Sequence, residues 1–223
     1  MDKTIRKTHL GIVVMLGAVW GLSEAALGMG LRSCAAFVSG SIMTGVALFF
    51  MASSWLLFKR ISGIVILVAT ASLFKMFDAL LLSLPFLHGA VANPIFAFVM
   101  EGAAFLVMVA LIKEKLMLKP AGQALLGGTA ALLAVNLFPL VKFATGIPAC
   151  VFPGTGMPLS LYYAPLAVSL SMVTVPAGFW LAAKIKAVES GLLRKNRWKK
   201  IPYVVSPAAI TLCLSIMALI RLI

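Results

Sequence analysis

Acidic residues are few in this 223-residue chain, in which six Asp and Glu stand against nineteen Lys and Arg. Charged residues make up 11% of the sequence and hydrophobic residues 62%, a composition that excludes a soluble globular domain. The three cysteines form no Cys-x-x-Cys pair, and the two histidines form no zinc-binding motif. Nucleophile elbows and phosphate-binding glycine loops are missing as well. The sequence therefore predicts no catalytic residue, no cofactor and no metal site.

Seven apolar runs are each long enough to cross a bilayer as a helix, which needs roughly 20 residues. With a mean hydropathy of +1.10, they predict an all-α, polytopic membrane helix bundle. We assign residues 9–186 to a core of six spans, 187–202 to a basic cytoplasmic segment and 204–222 to a seventh span, all in one transmembrane domain. The predicted spans are 9–31, 36–58, 61–86, 91–111, 125–146, 159–183 and 204–222.

Lys and Arg gather at one set of span ends. Fifteen of the nineteen precede the first span, join the second to the third or the fourth to the fifth, or follow the sixth, whereas only Arg32 and Arg221 lie at the opposite ends. Because cationic loops stay cytoplasmic, we expect a cytoplasmic-membrane protein with its N-terminus inside and its C-terminus outside. The basic charge then reflects topology, and anionic lipid at 187–202, rather than nucleic-acid binding.

Five ionisable residues fall inside predicted spans, where each costs several kcal/mol unless it is paired or hydrated. They are Glu24, Lys75, Asp78, Glu101 and Lys142. At 1.5 Å per helical residue, all five lie at the midplane or in the outer half. A ligand cavity that opens to the outside would produce this asymmetry.

The set contains three acids and two lysines, so one carboxyl has no lysine to neutralise it. Lys75 and Asp78 are three residues apart on one helix and can neutralise each other, either as a structural pair or as support for a site. Lys142 can pair with only one of Glu24 and Glu101. The remaining carboxyl is either protonated and bonded to the backbone, or it binds a cationic ligand group, a metal ion or a proton.

Two further residues are predicted to line this ligand site. Trp20 lies one turn before Glu24 on the same helix face, and an indole beside a carboxylate suits an organic cation or a flat heteroaromatic ring. Simple packing of Trp20 is the alternative. Asn136 is central in the fifth span, and Pro139 just after it predicts a distortion of the helix backbone.

Three other features are predicted: a small-residue helix face, a disulfide and a turn-rich loop. Gly17, Gly21 and Ala25 form a small-residue face that permits close helix contact, either inside the chain or with a partner. Cys34 and Cys150 are predicted on the outer side, where they could form a disulfide. Three prolines and two glycines in residues 147–158 exclude a helix there and predict a turn-rich loop, as a lid or as a plain connector.

These features together resemble a substrate-binding S component of an energy-coupling-factor transporter. The resemblance covers residues 9–186 and rests on six core spans, an N-terminus inside, small residues spaced by four on the first helix, and polar residues in the outer half. It implies a vitamin-like ligand bound from outside, with a transmembrane coupling protein and cytoplasmic ATPases as partners. In that family an Ala-x-x-x-Ala pattern contacts the coupling protein, and Gly17, Gly21 and Ala25 would take its place.

Two other classes of function remain open from the sequence. The chain could be a scaffold subunit of a larger membrane complex, with its buried charges paired internally. It could also be an intramembrane enzyme that acts on a lipid or quinone with Lys75, Asp78 and Glu101. Stabilisation by small cationic metabolites would favour the binding subunit over both.

Overall fold

The computed structural model describes residues 3–34, 38–194 and 201–222, with side chains described within 8–28, 38–191 and 205–222. The predicted all-α class is confirmed, since the described chain is built of helices and its loops hold only an isolated β-bridge. The helices in chain order are α1 (Lys3–Cys34), α2 (Ser39–Phe58), α3 (Ile61–Leu81), α4 (Gly89–Leu111), α5 (Glu114–Met117), α6 (Pro120–Leu137), α7 (Val141–Thr145), α8 (Leu159–Tyr162), α9 (Ala164–Arg194) and α10 (Ile201–Leu222).

Seven of these segments within the described chain are long and apolar enough to cross a membrane, as the sequence predicts. Two of them differ from the prediction in detail. The fifth span is broken after Leu137 by a 3₁₀ turn that contains Pro139, because proline cannot donate the backbone hydrogen bond that would continue the α-helix. The sixth continues past Ala183 to Arg194, so the first part of the predicted surface segment 187–202 is helical.

The helices form a bundle with two distinct ends. Helix α9 packs against α2 and α6, α1 packs against α2, α3 and α10, and α4 lies between α3 and α6. At the basic end, where α1 and α6 begin, Lys59 Nζ lies 2.7 Å from Glu114 Oε1. At the opposite end, here named the cavity end, the Ser41 hydroxyl at the start of α2 donates to the Tyr163 carbonyl before α9 over 3.0 Å.

Glycines set the close approach of α9 to its neighbours. A Cβ atom added to Gly178 would collide with the Phe49 carbonyl oxygen of α2, and one added to Gly127 would collide with the Ser171 carbonyl oxygen of α9. The Ser53 hydroxyl lies at the first contact and donates to the Gly178 carbonyl over 3.1 Å. Backbone-to-backbone contact of this kind is typical of membrane helix pairs.

The small-residue face of α1 packs inside the chain. A Cβ atom on Gly17 would lie 2.7 Å from Thr70 Cβ, and one on Gly21 would collide with Phe74, so α3 occupies this face. Ala25 is buried in a cluster that also contains Phe74 and residues of α10. Of the two predicted alternatives, contact inside the chain is therefore the one observed. The small-residue face is covered by α3 and is not free to contact a partner helix.

A buried hydrogen bond joins the start of α1 to the end of α9, a contact that the sequence does not predict. His9 Nε2 at the start of α1 lies 2.8 Å from Glu189 Oε2 near the end of α9, with 8% and 6% of the side chains exposed. His9 Nδ1 and Glu189 Oε1 have no hydrogen-bond partner among the described residues. Glu189 belongs to the segment 187–202 that the sequence assigns to the cytoplasm, but it is buried, because the helical extension of α9 brings it against α1.

We expect His9→Ala to destabilise the protein by about 1–3 kcal/mol, because it leaves the Glu189 carboxyl buried without its partner. Thermal unfolding in detergent measures the loss. Lys59→Ala is the matched control: the hydrogen bond from Lys59 lowers the pKa of Glu114, but 54% and 71% of the two side chains are exposed, so no change in melting temperature is expected. Equal melting of both variants would show that the buried pair does not stabilise the bundle.

Candidate functional site

A cavity of about 500 Å³ lies at the cavity end, between α1, α2, α4 and α6. It reaches the surface at Gly40 and Cys150, which are both exposed. Its walls combine apolar side chains with a few polar groups, as small-molecule sites do. The residues that line the cavity include Glu24, Ser41, Met43, Thr44, Asn93, Phe98, Glu101, Phe138, Cys150 and Ser160.

Glu24 and Glu101 both line this cavity, as the sequence predicts for an acidic site. Their exposed fractions are 4% and 5%, and neither forms an ion pair with a side chain in the described ranges. The two carboxyls lie close enough for the charge of Glu24 to act on Glu101. The Thr44 hydroxyl of α2 is the polar neighbour of Glu101. The cavity therefore contains two adjacent acids and no paired cation.

Trp20 lies behind Phe98 and does not itself line the cavity, contrary to the prediction. It is fully buried, and its ring lies 4.7 Å from that of Phe98, which itself lines the cavity. The indole N–H lies beside Glu24 but forms no hydrogen bond of regular geometry with a described group. Trp20 thus positions Phe98 and borders Glu24, and a ligand would meet the Phe98 ring first.

Lys75 and Asp78 form the predicted ion pair next to the cavity rather than in its wall. Lys75 Nζ lies 3.1 Å from Asp78 Oδ2. Arg221 near the end of α10 joins them, with its Nε 2.6 Å from Asp78 Oδ1 and its Nη2 3.0 Å from Oδ2. Lys75 also interacts electrostatically with Glu24. Asp78 is buried and its two cations are partly buried, and the trio lies beside the acidic wall.

Asn136 and Lys142 lie away from the cavity. Both are exposed, and the Asn136 side chain donates to the Leu132 carbonyl of its own helix over 2.7 Å. The 3₁₀ turn at Phe138–Leu140 separates α6 from the short helix α7, which carries Lys142 in the last turns of the fifth span. The structure thus corrects the expected placement of both residues in the cavity wall, and Lys142 does not pair with Glu24 or Glu101.

The predicted turn-rich loop borders the cavity at Cys150. The Phe152 ring stacks on Tyr162 with centroids 3.8 Å apart, and an isolated bridge pairs Val151 with Pro158. Cys150 at the base of the loop carries a free thiol that lines the cavity. The Cys34 side chain lies outside the described residues, so a disulfide between these two cysteines stays a prediction.

Sequence reasoning missed the polar residues of α2 and α4 that complete the site. Asn93 Oδ1 is buried without a hydrogen-bond partner in the described chain, and its side chain lines the cavity. A signal was present, because Asn93, Ala97 and Glu101 are spaced by four and therefore share one helix face. Ser41 and Thr44 likewise lie one turn apart near the start of α2.

Fold and site together define an all-α, polytopic membrane protein with a carboxyl-lined cavity inside its helix bundle. Comparison with known proteins finds no family model, no curated protein and no solved structure that matches the chain. Its function is therefore argued from the cavity itself.

Proposed function

We propose that this membrane protein is a substrate-binding subunit that takes a small ligand with a cationic group into the cavity from outside the cell. The observation that carries the proposal is the pair of buried carboxyls, Glu24 and Glu101, which face the cavity without a cation bonded to them. Buried carboxylates are costly in a membrane, and a bound ammonium or similar group would neutralise the excess charge.

The dimensions and the walls support a small organic ligand. A volume of about 500 Å³ lies within the range of small-molecule sites. Phe98, Met43 and Phe138 provide apolar walls, while Asn93 offers an unpaired carbonyl oxygen. The ligand class that fits is an organic cation with an apolar or aromatic body and at least one hydrogen-bond donor.

The resemblance to S components extends this proposal to a transport system. A transmembrane coupling protein and cytoplasmic ATPases would then supply the energy, and the bound ligand would be carried inward. Since α3 covers Gly17 and Gly21, the coupling protein would contact another surface of the bundle. A scaffold role is less well supported, because Glu101 lines the cavity without the cation partner in the described chain that this role requires.

Ligand binding can be measured through the thiol of Cys150, which lines the cavity and is exposed. In a Cys34→Ser/Cys213→Ala background, 4-methylbenzylamine should slow the reaction of Cys150 with a maleimide, whereas 4-methylbenzyl alcohol of the same shape should not. Glu101→Gln should weaken protection by the amine roughly 10- to 100-fold, the loss of one charge-assisted hydrogen bond. Glu114→Gln at the basic end is the control and should leave protection unchanged.

Equal protection by the amine and the alcohol would contradict cation binding in this cavity. Unchanged protection in Glu101→Gln would contradict the role of Glu101. Loss of protection in Glu114→Gln would mean that the assay reports a general change in the protein rather than the occupancy of the site.

Orientation is a separate part of the proposal. The loop charges support a basic end in the cytoplasm and a cavity that opens to the outside. Because Arg221 contacts Asp78 near the end of α3, α10 finishes at the cavity end. Reporter fusions after Lys59 and Lys119 should report cytoplasm, and a fusion after Ile223 should report the exterior. The opposite pattern would place the cavity mouth in the cytoplasm and exclude uptake from outside.

A further inference from the structure

Arg221 holds the carboxylate of Asp78 more completely than Lys75 does. Its guanidinium reaches both oxygens, over 2.6 Å to Oδ1 and 3.0 Å to Oδ2, whereas Lys75 reaches Oδ2 alone over 3.1 Å. A two-bonded arginine–carboxylate contact is the strongest geometry of an ion pair in proteins. The exposed fractions of the Arg221 and Asp78 side chains are 6% and 2%, so water screens this pair little.

This arrangement decides where the charge of Lys75 acts. Since Arg221 already neutralises Asp78, one positive charge on Lys75 remains in excess within the trio. Lys75 is also the cation that interacts with Glu24. Counted with one charge each, the five ionisable groups at the cavity end sum to one negative charge: Asp78 balances Arg221, Glu24 balances Lys75, and Glu101 has no cation partner in the described chain.

We infer that Arg221, through Asp78 and Lys75, makes the cavity selective for ligands with a single positive charge. Arg221 is a positioning residue in this scheme: it does not line the cavity, but it releases Lys75 to act on Glu24. Without Arg221, Asp78 would hold Lys75 alone, and both Glu24 and Glu101 would face the ligand uncompensated. The cavity would then favour a second positive charge on the ligand. The inference rests on the proposed function, since it specifies the ligand class of the same site.

Two matched probes measure this selectivity in the Cys150 assay. 4-Methylbenzylamine has one ammonium group, and 1,4-bis(aminomethyl)benzene replaces its methyl group by a second aminomethyl arm. The quantity compared is the ratio of their protecting concentrations. In Arg221→Met the ratio should shift toward the diamine by about tenfold or more, as expected of one unit charge acting in a cavity of low polarity. Arg221→Lys keeps the charge and should stay close to the wild-type ratio.

A double variant separates charge from structural damage. Asp78→Asn/Arg221→Met removes one charge of each sign, so Lys75 again balances Glu24 and the wild-type ratio should return. It also provides the test if Arg221→Met alone fails to fold, because a ratio shifted toward the diamine in the double variant would overturn the inference. An unchanged ratio in folded Arg221→Met would overturn it as well.

Two outcomes distinguish this inference from the proposed function. If the monoamine fails to protect the parent protein better than the alcohol, the proposed function fails. If the monoamine protects and the ratio does not move, only the role of Arg221 fails.

Discussion

Gly178→Ala should destabilise the bundle by about 3 kcal/mol and strongly reduce the yield of folded protein, at the upper end of the usual cost of overpacking. The added methyl group would collide with the Phe49 carbonyl oxygen and lie 3.0 Å from Ala52 Cβ. Backbone atoms cannot rotate away, so α2 and α9 would have to separate and the Ser53 bond to Gly178 would lengthen. Thermal unfolding in detergent and gel-filtration yield would measure this effect.

Gly191→Ala is the matched control on the same helix. No described atom outside its own stretch of helix lies within 4 Å of the position that its Cβ would take, and Gly191 is exposed. Alanine there should leave the melting temperature unchanged or raise it, because alanine favours helix by up to about 1 kcal/mol over glycine. A Gly178→Ala variant as stable as Gly191→Ala would show that α2 and α9 do not pack backbone to backbone.

Asp78→Asn should cost about 3–5 kcal/mol, the usual result of removing one partner from a buried ion pair. Both Arg221 and Lys75 would lose the carboxylate that they share, and their side chains are only 6% and 13% exposed. Two buried cations of like charge would then repel each other. The free energy of unfolding, from denaturant titration in detergent, is the quantity to compare.

Removing the opposite charge should restore much of this loss. Asp78→Asn/Arg221→Met leaves a single cation, Lys75, which still interacts with Glu24. The double variant is therefore expected to be more stable than Asp78→Asn alone, a non-additive result that independent sites would not give. Additive losses would mean that Arg221 and Asp78 stabilise the bundle separately, contrary to their contact in the structure.

Features that depend on neighbouring residues were predictable from the sequence. The apolar runs predicted seven spans, and Pro139 predicted the backbone break, because length, hydropathy and a missing N–H act locally. The Lys75–Asp78 pair followed from a spacing of three on one helix. The placement of Glu24 and Glu101 in one cavity was also inferred, since ionisable groups at the same depth of a membrane tend to face a common polar space.

Features that depend on which helices touch came only from the tertiary structure. The sequence offered Lys142 as the second cation of the buried set, but in the structure that cation is Arg221, which contacts Asp78 from 143 positions away. His9 and Glu189, 180 positions apart, meet because α9 extends beyond its predicted end. The face of Gly17 and Gly21 could have contacted a partner protein or another helix of the chain, and α3 occupies it.

Local chemistry therefore determined the spans and most of their buried charges. Packing decided the partner of each charge, because an ion pair between helices needs atoms within about 4 Å, a proximity that residue spacing within one helix does not specify.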